Sequence, residues 1–348
     1  MKLKAFQSYL QEQNIDFAFL SHPDLNITYF TQIKPSFAYL IITPKKAFFY
    51  LTELDKKPIL KEIKSYFLKK GWQNNIKKIK PKQIGINQES LTVASLERLK
   101  KHFPKAQFVD ISPKLQELRQ QKTQSEIEKL AQACAITTYA FNATITELTR
   151  KTLHTEQDVA LFLEKKIREQ GGDIGFPTII AMGKNAATPH HITSTAKLQR
   201  GFLLFDFGAS YQNYCADMSR TLFLGTPNEQ EKQVYNLLLN AQEKAIDAVK
   251  ENLPLAELDK VARKNLGKYS SRFIHSLGHG IGLEVHEAPN FVKDPKNTIK
   301  EDVPFTIEPG IYIQNKLGLR IEDTLLLHQG KIIVLTKAPK KLISIPTS

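Results

Sequence analysis

Four acidic residues stand inside runs of sequence that are otherwise largely apolar. Asp206 interrupts Phe202–Gly208, Asp217 interrupts Tyr214–Leu224, Glu308 interrupts Val303–Tyr312 and Glu322 interrupts Leu319–Leu327. Short apolar runs bounded by turn residues read as buried strands, here as two hairpins with one acid on each arm. Acids are almost never fully buried unless paired or bound to a metal. Arg220 and Arg320 lie within the same runs and could neutralise some of the charge, but four carboxylates exceed two arginines. A chain that folds with these strands inside needs a further cation.

A second concentration supplies nitrogen. His275, His279 and His286 fall within thirteen residues, His275 to Glu287, threaded with Gly278, Gly280 and Gly282, in a chain with nine histidines. Four carboxylates and one imidazole form an oxygen-rich set that suits Mn²⁺, Co²⁺ or Zn²⁺ better than a soft thiolate site does. Such a set suits two divalent ions with bridging carboxylates. Two ions about 3.5–4 Å apart can bind a shared hydroxide and clamp a scissile carbonyl.

The remaining sequence bounds the setting. A length of 348 residues is comfortable for two domains. Cys134 and Cys215 are the only cysteines, too few for a disulfide framework, so a reducing compartment is expected. No apolar run approaches the roughly 18 residues of a membrane span, and Gln11-Glu12-Gln13-Asn14 leaves no signal-peptide core after the charged start. The expected location is the cytoplasm. The formal charge of +14 is uneven, because residues 1–122 hold 22 Lys and Arg against 10 Asp and Glu. These lysines are scattered and lack the interleaved aromatics of a stacking platform, so no nucleic-acid partner is expected.

Residues 1–112 read as alternating helix and strand, an α/β domain. Strands are predicted at Phe17–Leu20, Tyr39–Thr43, Ala47–Leu51, Ile84–Ile86 and Phe108–Ile111, with helices over Lys56–Phe67 and Leu91–His102. Nothing there has catalytic spacing, and Trp72 reads as a packing residue. Residues 113–122 form a polar connector, predicted helical. From residue 123 the order is helix, helix, hairpin, then helix, helix, hairpin, which suggests a duplicated unit. The first helix is predicted to open at Ser125 with Glu128 in a capping box, the second at Thr155 with Asp158, the third at Asn228 with Glu231. A fourth is predicted over Leu258–Leu266. Cys134 falls on the apolar stripe of the first helix and reads as core.

On these residues the chain resembles the Xaa-Pro peptidases, aminopeptidase P and prolidase, of the pita-bread metallopeptidase superfamily. His275 to Glu287 fits the signature of that proline-specific branch along its length. The methionine aminopeptidase branch shares Gly278-His279-Gly280 but neither the preceding His nor the Val285-His286-Glu287 spacing. The resemblance spans the chain and implies an α+β fold class, with a creatinase-type domain over 1–112, the connector 113–122 and a pita-bread catalytic domain over 123–348.

It also implies roles. Asp206 would chelate one metal, His279 and Glu308 the other, with Asp217 and Glu322 bridging, and Mn²⁺ the foremost choice over Co²⁺ or Zn²⁺. Glu308 would shuttle a proton from the attacking water, a metal-bridging hydroxide, to the leaving prolyl nitrogen. His286 would stabilise the tetrahedral intermediate or the leaving proline, His190 would sit over the substrate, His275 would be a further substrate-side histidine, and Arg320 would support the bridging acids. Only the family motif favours His190 over His191. The implied activity is hydrolysis between an N-terminal residue and a following proline, with small peptides as substrates and a homodimer as the assembly. Dipeptidase and aminopeptidase are not separable from the sequence. The alternatives are a non-catalytic binding protein using the basic N-terminal half and a methionine aminopeptidase-like activity.

Overall fold

The strand Phe17–Ser21 alternates between two cores, and that alternation organises the first part of the molecule. In the computed structural model, which describes residues 2–291 and 297–346, Ala18 and Leu20 join Leu40, Ile42, Phe49 and Leu51 on one side. Phe17 and Phe19 join Ile41, Tyr50, Ile84 and Ile86 on the other. Period-two side-chain placement therefore gives the sheet two buried faces. The first face is covered by Lys2–Glu12 and by Leu115 of Ser112–Gln120. The second is covered by Leu99 of Val93–His102 together with Phe103 and Ile76.

The six-stranded sheet runs in the order Lys64–Phe67, Ala47–Leu51, Ala38–Ile42, Phe17–Ser21, Gln83–Ile86, Gln107–Asp110. The predicted hairpin pairs with Ile42 opposite Ala47. The helix expected over Lys56–Phe67 does not form. Its last four residues are instead an edge strand parallel to Ala47–Leu51, with Phe49 opposite Ser65. Sheet pairing satisfies that backbone, and this tertiary partner overrides the local helical periodicity. Trp72 stacks on Tyr39 at a centroid distance of 4.7 Å, as a packing residue would.

The chain divides into two compact units, residues 1–119 and 120–348. In the second, the long helix is Gln124–Thr149, and its capping box is Thr123 with Glu126 rather than Ser125 with Glu128. The cap lies two residues earlier, where Thr123 N donates to Glu126 Oε2 at 2.7 Å, and Leu130, Cys134 and Phe141 face inward along the helix. The predicted boxes at Thr155–Asp158 and Asn228–Glu231 open Glu156–Glu169 and Glu229–Asp247. The fourth helix is Leu255–Leu266.

Each helix pair covers one sheet. Phe141, Leu163 and Ile167 pack on Leu203, Phe205 and Phe207 of the strand Gly201–Phe207. Leu238, Ala241 and Leu258 pack on Phe305, Ile307 and Leu325. Gly201–Phe207 runs antiparallel to Met218–Leu224 with Asp206 opposite Ser219. Phe305–Ile307 runs antiparallel to Asp323–His328, and Gly310–Ile313 to Leu317–Arg320. Among the described residues no helix is long and apolar enough to cross a membrane.

Candidate metal centre

The acids reach one place because the strands that bear them break there. Asp206 lies within its strand, but Asp217 immediately precedes Met218–Leu224, Glu308 sits between Phe305–Ile307 and Gly310–Ile313, and Glu322 sits between Leu317–Arg320 and Asp323–His328. At a break the backbone leaves the ladder and an acid can turn inward without reversing its strand's pattern. The Glu322 N–H is still held by Ser219 O at 3.0 Å.

His279 is brought up by glycine. A Cβ on Gly278 would stand 2.0 Å from Thr306 O, so only glycine lets this segment press against Phe305–Ile307. The close approach is held by Glu308 N donating to Leu277 O at 2.8 Å and His279 N donating to Thr306 Oγ1 at 3.1 Å. Its result is His279 Nε2 at 3.3 Å from Glu308 Oε1 and 3.6 Å from Asp217 Oδ2. Ligand atoms of Asp217, His279 and Glu322 all lie within 4.8 Å of one another. Two ligands each about 2.1 Å from a common ion fall roughly 3–3.6 Å apart, so the 3.3 and 3.6 Å separations from His279 suit atoms that share a cation. His279 Nδ1 lies 3.1 Å from Gly280 O and can donate to it, which leaves Nε2 facing the acids.

The electrostatics make the same demand. Among the described residues, Asp217 Oδ1 and Glu322 Oε1 are buried and have no hydrogen-bond partner. Burial, and then the charges of neighbouring carboxylates, push the Asp217 and Glu322 carboxyls well above the usual range. Burial also acts on Glu308, but the His279 hydrogen bond and charge outweigh it and hold its carboxyl below the usual value. His279 is correspondingly raised by Glu308 against the opposing effect of burial. Of the two arginines, Arg220 is spent on Asp323 at 2.7 Å, outside the set of four. Arg320 pairs directly with Asp206 at 2.5 Å and reaches Glu322 only through Ser219, whose Oγ accepts from Arg320 Nε and donates to Glu322, each at 2.7 Å. Its link to Glu322 is thus indirect, since its guanidinium is the partner of Asp206. Orphaned buried oxygens with an imidazole nitrogen fit hard or borderline divalent cations.

All nine residues singled out in the sequence line one cavity of about 1060 Å³. His286 lines the cavity with its ring 4.3 Å from that of His279, and partial desolvation of the ring there, followed by the His279 charge, pushes its pKa down. His275 Nε2 lies 2.9 Å from Tyr312 OH, which accepts from Arg320 Nη1 at 2.7 Å. The tyrosine can therefore donate to Nε2, leaving Nδ1–H to donate to Ser276 O at 2.9 Å. Burial first, with the Arg320 charge, keeps this imidazole's pKa low and the ring neutral. His190 and His191 both line the cavity, His190 exposed and His191 with its ring tied to Glu156 at 3.0 Å. Sequence reasoning missed Tyr312 and Ser219. Tyr312 lies four residues from Glu308 and Ser219 two from Asp217, but neither carries a charge that would draw attention.

Residues 128–329 match the model of metallopeptidase family M24, and residues 2–121 match the creatinase/prolidase N-terminal domain. The chain belongs to metallopeptidase family M24. Its second unit accordingly has the family's pita-bread fold, and family membership implies divalent metal. The chain is 35% identical to the Xaa-Pro dipeptidase of Pyrococcus furiosus, over 98% of this chain and 99% of that one. It superimposes on the prolidase of Pyrococcus horikoshii with a TM-score of 0.89 at 33% identity, covering 98% and 99% of the two chains. The X-Pro aminopeptidase of Thermotoga maritima matches with a TM-score of 0.87 at 30% identity, covering 95% and 98%.

Proposed function

We propose that the chain is a peptidase that cleaves the bond between an N-terminal residue and a following proline. The observation that carries this reading is the pair of orphaned buried oxygens, on Asp217 and Glu322, beside His279 in the wall of a large cavity. Relatives named Xaa-Pro dipeptidase and X-Pro aminopeptidase support the substrate class, small peptides with proline second. Asp206, Asp217, His279, Glu308 and Glu322 would hold two divalent ions, with Mn²⁺ as the foremost choice and Co²⁺ or Zn²⁺ as substitutes. When bound, the ions would acidify the attacking water and polarise the scissile carbonyl.

The protein's own residues then do the rest. Glu308 is ionised and its Oε2 faces away from His279, towards His275 at 3.9 Å, so this oxygen takes the proton of the attacking water and delivers it to the prolyl nitrogen. His286 and His190 face the substrate from the cavity wall, where an N–H donor meets the charge that develops on the carbonyl oxygen. His275, neutral and oriented by Tyr312, presents a fixed polar edge to the same space. Arg320 holds Asp206 and, through Ser219, Glu322.

In the same reading residues 1–112 are the creatinase-type domain, 113–122 the connector and 123–348 the catalytic domain, and the chain is a homodimer. A reducing cytoplasmic setting is supported by Cys134 and Cys215, both buried and not joined in a disulfide. The purified protein, loaded with Mn²⁺, is expected to release the N-terminal residue from Xaa-Pro dipeptides or from longer Xaa-Pro peptides. Release from neither, with metal bound, sinks the reading, and the ratio of the two rates assigns dipeptidase or aminopeptidase.

A further inference from the structure

One buried acid beside the cavity has no part in the chemistry above. Glu156 opens the helix Glu156–Glu169 and is fully buried. Its Oε1 accepts from the backbone N of Met182 at 2.7 Å and from Asn185 Nδ2 at 2.8 Å. Its Oε2 accepts from Ser194 Oγ at 2.7 Å, Ser194 N at 3.1 Å and His191 Nε2 at 3.0 Å. These partners span the beginning, middle and end of residues 182–194, the stretch that carries His190.

That stretch has little regular structure of its own beyond the 3₁₀ turn Gly183–Ala187. From one side the turn is pressed against Leu317–Arg320, where a Cβ on Gly318 would stand 1.7 Å from Ala186 O. From the other side the Glu156 carboxylate gathers it. We propose that Glu156 is a positioning residue for the peptidase site, anchoring residues 182–194 so that His190 faces the cavity while His191 is tied back. The proposal rests on the reading of that cavity as an Xaa-Pro peptidase site.

The chemistry explains why a carboxylate is used. Five donors converge on two oxygens, which together offer about four lone-pair sites. Every partner contact can be a donor, so an acceptor-only anion opposes none of them, whereas an amide turns its own donors towards a backbone N–H on one side or the other. A glutamine of equal size would turn its NH₂ towards either Ser194 N–H and His191 or Met182 N–H and Asn185, leaving like donors opposed. A buried carboxylate without such partners would be costly, but with them it becomes a rigid hub.

The test compares the metal-loaded parent with Glu156→Gln, His190→Ala and the double variant. In Glu156→Gln, amide hydrogen exchange across residues 183–194 is expected to speed at least about tenfold, while the strands Gly201–Phe207 and Asp323–His328 exchange as in the parent. Its kcat/KM on an Xaa-Pro peptide is expected to fall about 10- to 100-fold with bound metal unchanged. The double variant is expected to lose no more than His190→Ala alone, because Glu156 acts through that histidine. Unchanged exchange in 183–194, or losses that simply multiply, overturns the proposal. Should Glu156→Gln not fold, Ser194→Ala removes one side-chain donor and is expected to raise the same exchange to a smaller degree; parent-like exchange there overturns it equally. A parent with no Xaa-Pro activity defeats the functional reading alone, and the exchange measurement still judges the anchor.

Discussion

Lys122 Nζ lies 3.0 Å from Glu287 Oε2, and both side chains are only 2% exposed. The same carboxylate accepts through Oε1 from Leu283 N at 3.1 Å and Glu284 N at 3.2 Å. It therefore closes the turn that presents Val285 and His286 to the cavity. Gly282 fits this turn because a Cβ there would stand 2.4 Å from Glu287 Oε2 and 2.7 Å from Lys122 Nζ. Lys122→Met leaves a buried carboxylate without its counter-charge. The expected cost is about 3–5 kcal/mol of stability, read from the urea midpoint. A loss under about 1 kcal/mol would show that the pair is not what holds the turn.

Glu308→Gln keeps the shape of the side chain and removes its ability to take a proton. Its kcat on an Xaa-Pro peptide is expected to fall about 10²- to 10⁴-fold, while Asp217, His279 and Glu322 still retain metal. A kcat within a few-fold of the parent's, with metal content confirmed by elemental analysis, contradicts the proton role.

Divalent metal binds the folded cluster and not the unfolded chain, so it stabilises by mass action. At free Mn²⁺ about 100 times its Kd the gain is about 2.7 kcal/mol for a single site. Calorimetry of chelated and Mn²⁺-refilled protein should show the higher melting temperature in the refilled sample, and elemental analysis two ions per chain. Equal melting temperatures would remove the cation from the account of Asp217 and Glu322.

Tyr312→Phe deletes the one hydroxyl that accepts from Arg320 and engages His275. The guanidinium loses an acceptor and His275 its orientation. Stability is expected to fall by about 1–3 kcal/mol and kcat/KM by up to about 100-fold. Kinetics and stability both like those of the parent would mean that His275 is oriented without the tyrosine.

Glu156 also sets a pH signature. Burial alone would raise its carboxyl, but hydrogen bonds from Asn185, Met182, Ser194 and His191 outweigh it and hold the folded value below the ordinary one. A depressed acid contributes stability that is present above its unfolded value, about 4.3, and is lost as pH falls through the folded value. The stability difference between parent and Glu156→Gln is therefore expected to be full at pH 7 and to shrink below about pH 4. Urea midpoints at pH 7, 5 and 3 measure it, and a difference that grows on acidification refutes the sign.

The sequence by itself determined the ligand chemistry and most of the scaffold. An acid in an apolar run is legible because burial without a partner is so costly, and the Gly-His-Gly stretch is legible because glycine marks close approach. Capping residues at Thr155 and Asn228 located helix starts, because local hydrogen bonding decides them. Where sequence reasoning failed, distant partners decided. The Lys64–Phe67 stretch became a strand because Ala47–Leu51 offered its edge, and Thr123 displaced Ser125 as the cap. Only the tertiary structure ties His191 to Glu156 across 35 residues. It likewise gave Arg320 to Asp206 across 114 residues and Arg220 to Asp323. Pairings of that kind depend on which strands lie side by side and where they break, and no local pattern encodes a partner so far along the chain.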